Sequence, residues 1–487
     1  MIHIPILRAG RTYYSLETAT LTNFETGETV AIVSQANPGL IAHDLNRAAE
    51  YKRALDQLKV VELLDLCKKA AIHFGESKLA LGEETQTPEE YIAQISSTTG
   101  MPQALCKRNV EKIRFVLANM EEVLQGLTRG LDFNILDEGY GTQEQRAVSF
   151  FAQTNALGAI LPNNSPGVHS LWLPAIPLKV PLVLRPGGQE PWTPFRIAQA
   201  FLAAGIPPQA FSFYPSSYAG ASEILMRTGR SVFFGDASSI RAWQNDPKIQ
   251  IHGPGWSKVI LGKDAAENWE QYIDVIATSI SENGGRSCLN ASSVWVPSHG
   301  REIAEALAQR FARIKARSSS DPEASIAAFS NPKIAERISD MINRQLKIEG
   351  AEDVTLKFRQ QDRLVKLGRA TYLLPTIIFC TDPTHPLANS EFLFPFATVV
   401  EVPQEDLLSQ IGPTLVATAI TEDAEFTRNL LACQRIDRLN LGVIPTSRIS
   451  WNQPHEGNLF EHLYKQRAFQ SKLAPLFSPE TAAGRNA

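Results

Sequence analysis

Residues 180–205 constrain the fold more than any other stretch of the chain. Val180-Pro181-Leu182-Val183-Leu184 is a short apolar strand sequence, and Arg185 to Pro191 (RPGGQEP) is a loop. Thr193 then offers an N-cap with Pro194 in the first turn. Phe195, Ala198 and Leu202 repeat at helical spacing, and Gly205 supplies the stop. A strand that turns directly into a helix is half of a βαβ crossover, the unit that builds parallel sheets covered by helices.

The pattern repeats, which predicts an α/β architecture with largely parallel sheets. SVFF (231–234) reads as a strand with a helix from Asp236 to Trp243, and VIL (259–261) as a strand before a helix from Ala265 to Ser281. SVWV (293–296) precedes a helix from about Arg301, with Ile303, Leu307, Phe311 and Ile314 in register. Residues 46–74 read as one helix, with Leu63, Leu66, Ala70 and Phe74 on its apolar face. Segments 317–333 and 381–390 read as surface connections, and the tail beyond Leu473 as loosely held.

A length of 487 residues leaves room for two or three domains with sizeable cores. The net charge of -4 carries no basic excess, so a nucleic-acid partner is not expected. The most apolar run, Ala370 to Cys380, is interrupted by Pro375 and is too short for a membrane span. The opening residues lack a secretory pattern. Cys67, Cys106, Cys288, Cys380 and Cys433 are scattered, without CxxC or Cys/His clustering. That predicts reduced thiols in a cytoplasmic protein, with no disulfide framework and no metal site. Cys67 shares the apolar face of Leu63, and Cys380 ends an apolar run, so both read as buried small hydrophobes.

Four segments, in this order, resemble landmarks of the aldehyde dehydrogenase superfamily. They are residues 161–215 (LPNNSPGVHSLWLPAIPLKVPLVLRPGGQEPWTPFRIAQAFLAAGIPPQAFSFYP), SVFFGD (231–236), NGGRSCLNASS (283–293) and EFLFPFATVVEV (391–402). The resemblance covers roughly residues 20 to 460. It implies a Rossmann-like cofactor domain (1–128 and 151–250) and an α/β catalytic domain (251–440) carrying the nucleophilic cysteine. Residues 129–150 and 441–487 would form a small β oligomerisation arm and C-terminal segment, and the chain a homodimer or homotetramer.

The same resemblance implies site residues. Cys288 stands as the nucleophile, on a flexible Asn283-Gly284-Gly285 loop; its thiol would need lowering from an unperturbed pKa of about 8.5. Asn164 stands where a side-chain amide, with the Cys288 N–H, stabilises an oxyanion. Arg185 replaces the family's ribose-contacting lysine, and Gly188 a glutamate common in NAD-preferring members. A cation without that carboxylate should tolerate NADP, so the cofactor is NAD or NADP. Gly235 admits the pyrophosphate, Asp236 must turn away to cap the next helix, and Glu391 holds the nicotinamide ribose.

The sequence also departs from the family. Where hydrolytic members carry a water-activating glutamate, IHGPGWSKVIL (251–261) places His252. Three readings follow. His252 is itself the base; or the acyl group is exchanged with coenzyme A, making the substrate an aldehyde or acyl-CoA; or the chain is an inactive scaffold. His455 and Glu456, in an atypical C-terminal loop, read as a solvated turn more readily than as catalytic helpers.

Overall fold

The computed structural model describes residues 1–454 and 456–470; the tail beyond Leu473 and His455 lie outside the described residues. Two seven-stranded sheets organise it. In the first, Leu157–Ile160 is central. Leu182–Arg185 and Phe211–Phe213 lie to one side, and Arg230–Phe234 and Ile249–His252 to the other, all five strands parallel. An antiparallel hairpin, Ile6–Arg8 and Arg11–Tyr13, closes one edge. Because the chain first builds outward from Leu157–Ile160 and then crosses to its other side, the connections diverge beside that strand. Such a divergence opens a crevice at the carboxyl ends of parallel strands. The strands are apolar and buried on both faces, as a helix-covered sheet requires.

The second sheet is ordered Ala351–Asp353, Thr376–Cys380, Phe396–Glu401, Ala291–Val296, Ser257–Leu261, Thr414–Ile420 and Ile436–Leu441. Only its first strand is antiparallel. A third, antiparallel sheet joins Tyr140–Gln143, Arg146–Ala152 and Tyr464–Arg467 into an arm. The architecture is therefore the mixed α/β fold expected.

Several helices differ from the sequence reading. Residues 46–74 do not form one helix: Ala48–Asp56 and Val60–Glu76 are separate. The apolar face of the second nevertheless packs on helix Trp192–Ala204, with Leu63, Cys67, Ala70 and Phe74 buried. That latter helix begins before Thr193. Glu190, fully buried, accepts from the Thr193 N–H at 2.9 Å and its hydroxyl at 2.7 Å, so the cap is a carboxylate three residues upstream. Gly205 ends the helix with a φ of 104°, as read. Behind Arg230–Phe234 the helix is only Ala237–Ile240, and 265–281 is broken into Lys263–Ala266, Trp269–Tyr272 and Ile273–Ser281. The two supposed surface connections are partly interior: Ile326 to Phe329 and Leu387-Ala388 are buried, filling the space between the second sheet and its neighbours. Among the described residues no helix is long and apolar enough to cross a membrane.

Candidate active site

Cys288 lies on the loop that enters Ala291–Val296; it shares a cavity with Asn164, just past Leu157–Ile160, and is linked through Glu456 to His252, the last residue of Ile249–His252. Asn283, Gly284 and Gly285 take φ values of 55°, 67° and 69°, a left-handed run that glycine permits cheaply. Asn290 then pins the turn: its carbonyl accepts from Ser287 N–H at 3.0 Å, and its amide donates to Ser279 and Glu282 carbonyls. The Cys288 carbonyl accepts from the Ser257 hydroxyl at 2.7 Å and rests against Gly255, where a Cβ would fall 2.2 Å from it. The backbone of the cysteine is thus held on two sides.

The thiol faces a cavity of about 750 Å³ lined also by Asn164, Lys112 and Glu456. Sγ donates to Glu456 Oε1 at 3.0 Å, and Glu456 Oε2 lies 2.6 Å from His252 Nδ1. The His252 ring stacks on Phe234, 4.4 Å between centroids and 13° from parallel. Both side chains are nearly dry, 5% and 6% exposed for His252 and Glu456. Burial, then the charge of Glu456, pushes the Cys288 thiol well above its ordinary value; the Lys112 ammonium pulls the other way.

Glu456 is therefore no solvated turn residue, contrary to the sequence reading. The described residues around Glu456 are laid across the molecule: Asn452 presses on Gly126, Gln250 donates its amide to the Glu456 carbonyl, and Asn458 donates to Leu127 O at 2.8 Å. Gly457 takes a φ of 74°, a left-handed conformation that favours glycine, with Gln250 Nε2 2.5 Å from where a Cβ would fall. These contacts are long-range, and no local pattern announces them.

Asn164 lines the same cavity, and its amide donates to the Arg286 carbonyl at 3.1 Å, leaving one of its two N–H donors. The loops of Asn164 and Cys288 are tied through Asn109. It donates to Asn283 at 2.7 Å and accepts from Ser165 at 3.0 Å, while Asn283 donates back to Ser165 at 2.9 Å. Arg286 anchors the loop's other side, donating to Ala328 O at 2.6 Å over the Phe329 ring. Asn109, Lys112 and Arg286 were not singled out from sequence: a polar residue on an amphipathic helix or in a loop looks like any surface residue.

Glu391 accepts from the backbone N–H groups of Gly255 and Trp256. Burial pushes its carboxyl up to about 7 and the neighbouring Lys258 ammonium down to about 7. The remaining predicted residues gather at the ends of the first sheet's strands. Arg185 donates twice to the Ser216 carbonyl, at 3.2 and 2.9 Å; Gly188 faces open space. Gly235 N–H donates to His252 O at 3.1 Å, and the Asp236 carboxylate turns back to cap Ala237–Ile240, accepting from Ser238 and Ser239 N–H. Cys67, Cys106 and Cys380 are buried away from this site, with burial pushing each thiol up.

Comparison with known proteins agrees with this architecture. KauB, an aldehyde dehydrogenase from Pseudomonas aeruginosa, superposes with a TM-score of 0.76 at 17% identity, covering 97% of each chain. An NAD+ complex of an aldehyde dehydrogenase from Bacillus cereus gives 0.72 at 17% identity over 96% of each chain. A 3,6-anhydro-L-galactose dehydrogenase solved with NAP gives 0.75 at 14% identity, covering 96% of this chain and 99% of that one. Among curated proteins, the 5-carboxymethyl-2-hydroxymuconate semialdehyde dehydrogenase of Escherichia coli is 25% identical over 258 residues. That match spans 50% of this chain and about half, 54%, of the relative. The family model described as Aldehyde dehydrogenase family matches residues 14–411, and the chain belongs to that family.

Proposed function

We propose that this chain oxidises an aldehyde to the free acid with NAD or NADP, through a covalent intermediate on Cys288. The observation that carries the reading is the Cys288–Glu456–His252 line, 3.0 and 2.6 Å, at the wall of a substrate-sized cavity. It supplies, from the far end of the chain, the base missing at position 252.

The Cys288 proton passes to Glu456 as sulfur attacks the carbonyl carbon, giving a thiohemiacetal. The free Asn164 N–H and the Cys288 N–H are the candidate donors to its oxyanion; such donors contribute about 3–4 kcal/mol of barrier. Bound NAD or NADP supplies the acceptor for the hydride leaving that carbon. What remains is a thioester. Glu456 then gives up the thiol proton to solvent; as a carboxylate again, backed by His252, it takes a proton from water as the water attacks, and sulfur departs as the thiolate. Coenzyme A is not needed for this release.

The residues fit a dinucleotide. The crevice beside Leu157–Ile160 is bordered by Gly235 and by Gly188, which has nothing within 4 Å of a built Cβ, and Arg185 lies alongside. Glu391 is the candidate partner for the nicotinamide ribose. The first sheet with its helices is read as the cofactor domain, the second as the catalytic domain, and the arm as a strand-pairing surface for a second copy.

The test is nicotinamide absorbance with an aldehyde panel, NAD or NADP, with and without coenzyme A, and Cys288→Ala as control. Acid formation without coenzyme A supports the proposal. An absolute requirement for coenzyme A or an acyl-CoA would overturn the hydrolytic route. No turnover, with Cys288 no more reactive than the buried thiols, would point to a scaffold.

A further inference from the structure

The cavity in front of Cys288 is lined by three cations from two parts of the chain. Arg108 and Lys112 stand one turn apart on helix Gln103–Ala118, and Arg448 comes from the C-terminal segment. Among the described residues none of the three forms an ion pair, although Lys112 is largely withdrawn from solvent and its ammonium lies over the Trp451 ring, 5.6 Å from the centroid. The carboxylates in the same wall are engaged elsewhere. Glu456 contacts Cys288 and His252, and Glu282 accepts from the Ser447 hydroxyl. Cys288, Glu456 and Glu282 act on the Lys112 ammonium only through space, without a direct ion pair, so an anion entering the cavity could pair with it directly.

We infer that the substrate is an aldehyde carrying an anionic group, a carboxylate or a phosphate, remote from the reacting carbonyl, and that Lys112 receives that anion. The inference rests on the reading that Cys288 attacks an aldehyde. Arg108 and Arg448, both exposed, sit at the mouth, where they attract an anion but grip it weakly. Lys112, deeper, is where the charge is fixed; a charge-assisted hydrogen bond there is stronger than a neutral one.

Lys112 also lies close enough to Cys288 and Glu456 to feel their charges, so a role confined to favouring the thiolate must be separated from substrate recognition. The experiment measures kcat/KM for ω-oxo carboxylates, an aldehyde phosphate and uncharged aldehydes of matching length, on wild type, Lys112→Met and Lys112→Arg. The expected result is an anionic-over-neutral preference of at least about 10-fold in wild type, retained in Lys112→Arg and collapsed in Lys112→Met. The better of the carboxylate and phosphate arms identifies the anion. A wild-type enzyme indifferent to charge overturns the inference. So does a Lys112→Met enzyme slowed equally on both substrate classes, since that is the signature of thiolate tuning alone.

A second readout does not depend on turnover. Glutarate should slow alkylation of Cys288 in wild type and not in Lys112→Met, while glutaramide protects neither; absence of glutarate protection counts against the anion site. If no aldehyde is oxidised at all, the catalytic reading fails separately, and the labelling result still decides this one.

Discussion

Cys288 Sγ and Glu456 Oε1 meet at 3.0 Å although 168 residues separate them in sequence. The carboxylate is oriented from behind by His252, whose own ring is clamped against Phe234. A carboxylate held on both sides is preorganised for proton transfer, the condition under which the general-base role proposed for it would be effective. Glu456→Gln keeps the shape and a hydrogen-bonding oxygen but removes the base. Its kcat should fall by about 10²–10⁴-fold, with the folded state retained by circular dichroism. An unchanged kcat would remove Glu456 from the mechanism.

Much of the frame was legible because it is local. The strand at Leu182–Arg185, the helix after it, its Gly205 stop and the buried faces of Cys67 and Phe74 all follow from short-range pattern. The Cys288 loop was legible too: Asn283-Gly284-Gly285 reads as an unhindered loop, and the structure gives it left-handed backbone. What was not legible is assembled at long range. Glu456 reaches Cys288 only because Gly457 and Asn458 lay its segment over Gln250 and Leu127. Nor does periodicity show that the helical run 46–74 breaks before Val60, since neither Gly nor Pro marks the break.

On the proposed function, cofactor choice is set where Gly188 faces open space beside Arg185. A carboxylate there would accept from a ribose hydroxyl and repel a 2′-phosphate. Gly188→Glu has room for its side chain, so the fold should be unaffected. The NADP-to-NAD ratio of kcat/KM should drop by about 10-fold or more. A ratio unmoved by the substitution would place the adenosine ribose elsewhere.

Burial raises the Glu391 carboxyl to about 7 from an ordinary 4.5. Between those values the native state keeps a proton that the unfolded chain releases, so this group's stabilisation is lost as pH rises toward 7. Lys258 acts in the opposite sense above that range: pushed down to about 7 from 10.5, it is neutral when native and charged when unfolded. Its contribution therefore falls as pH drops toward 7. The Tm of wild type relative to Glu391→Gln, followed by calorimetry, should decline from about pH 4.5 to 7 and then level. A difference independent of pH would mean that Glu391 is ionised throughout.

Gly255 tests how tightly the cysteine must be held. A methyl added there would fall 2.2 Å from the Cys288 carbonyl oxygen and 3.1 Å from its Cβ, too close for any side-chain adjustment to relieve. The backbone of Cys288 must move, breaking the Ser257 hydroxyl bond and altering the 3.0 Å approach to Glu456. Misplacement of a nucleophile by about 1 Å costs roughly 10²-fold in rate. Gly255→Ala should therefore lose about that much kcat, with a similar loss in the rate of Cys288 alkylation. Because the same glycine presents its N–H to Glu391, KM for the cofactor should rise in parallel. A variant with wild-type kcat would show that the loop accommodates the methyl without disturbing the thiol, and that its two-sided clamp is not what sets the geometry of attack.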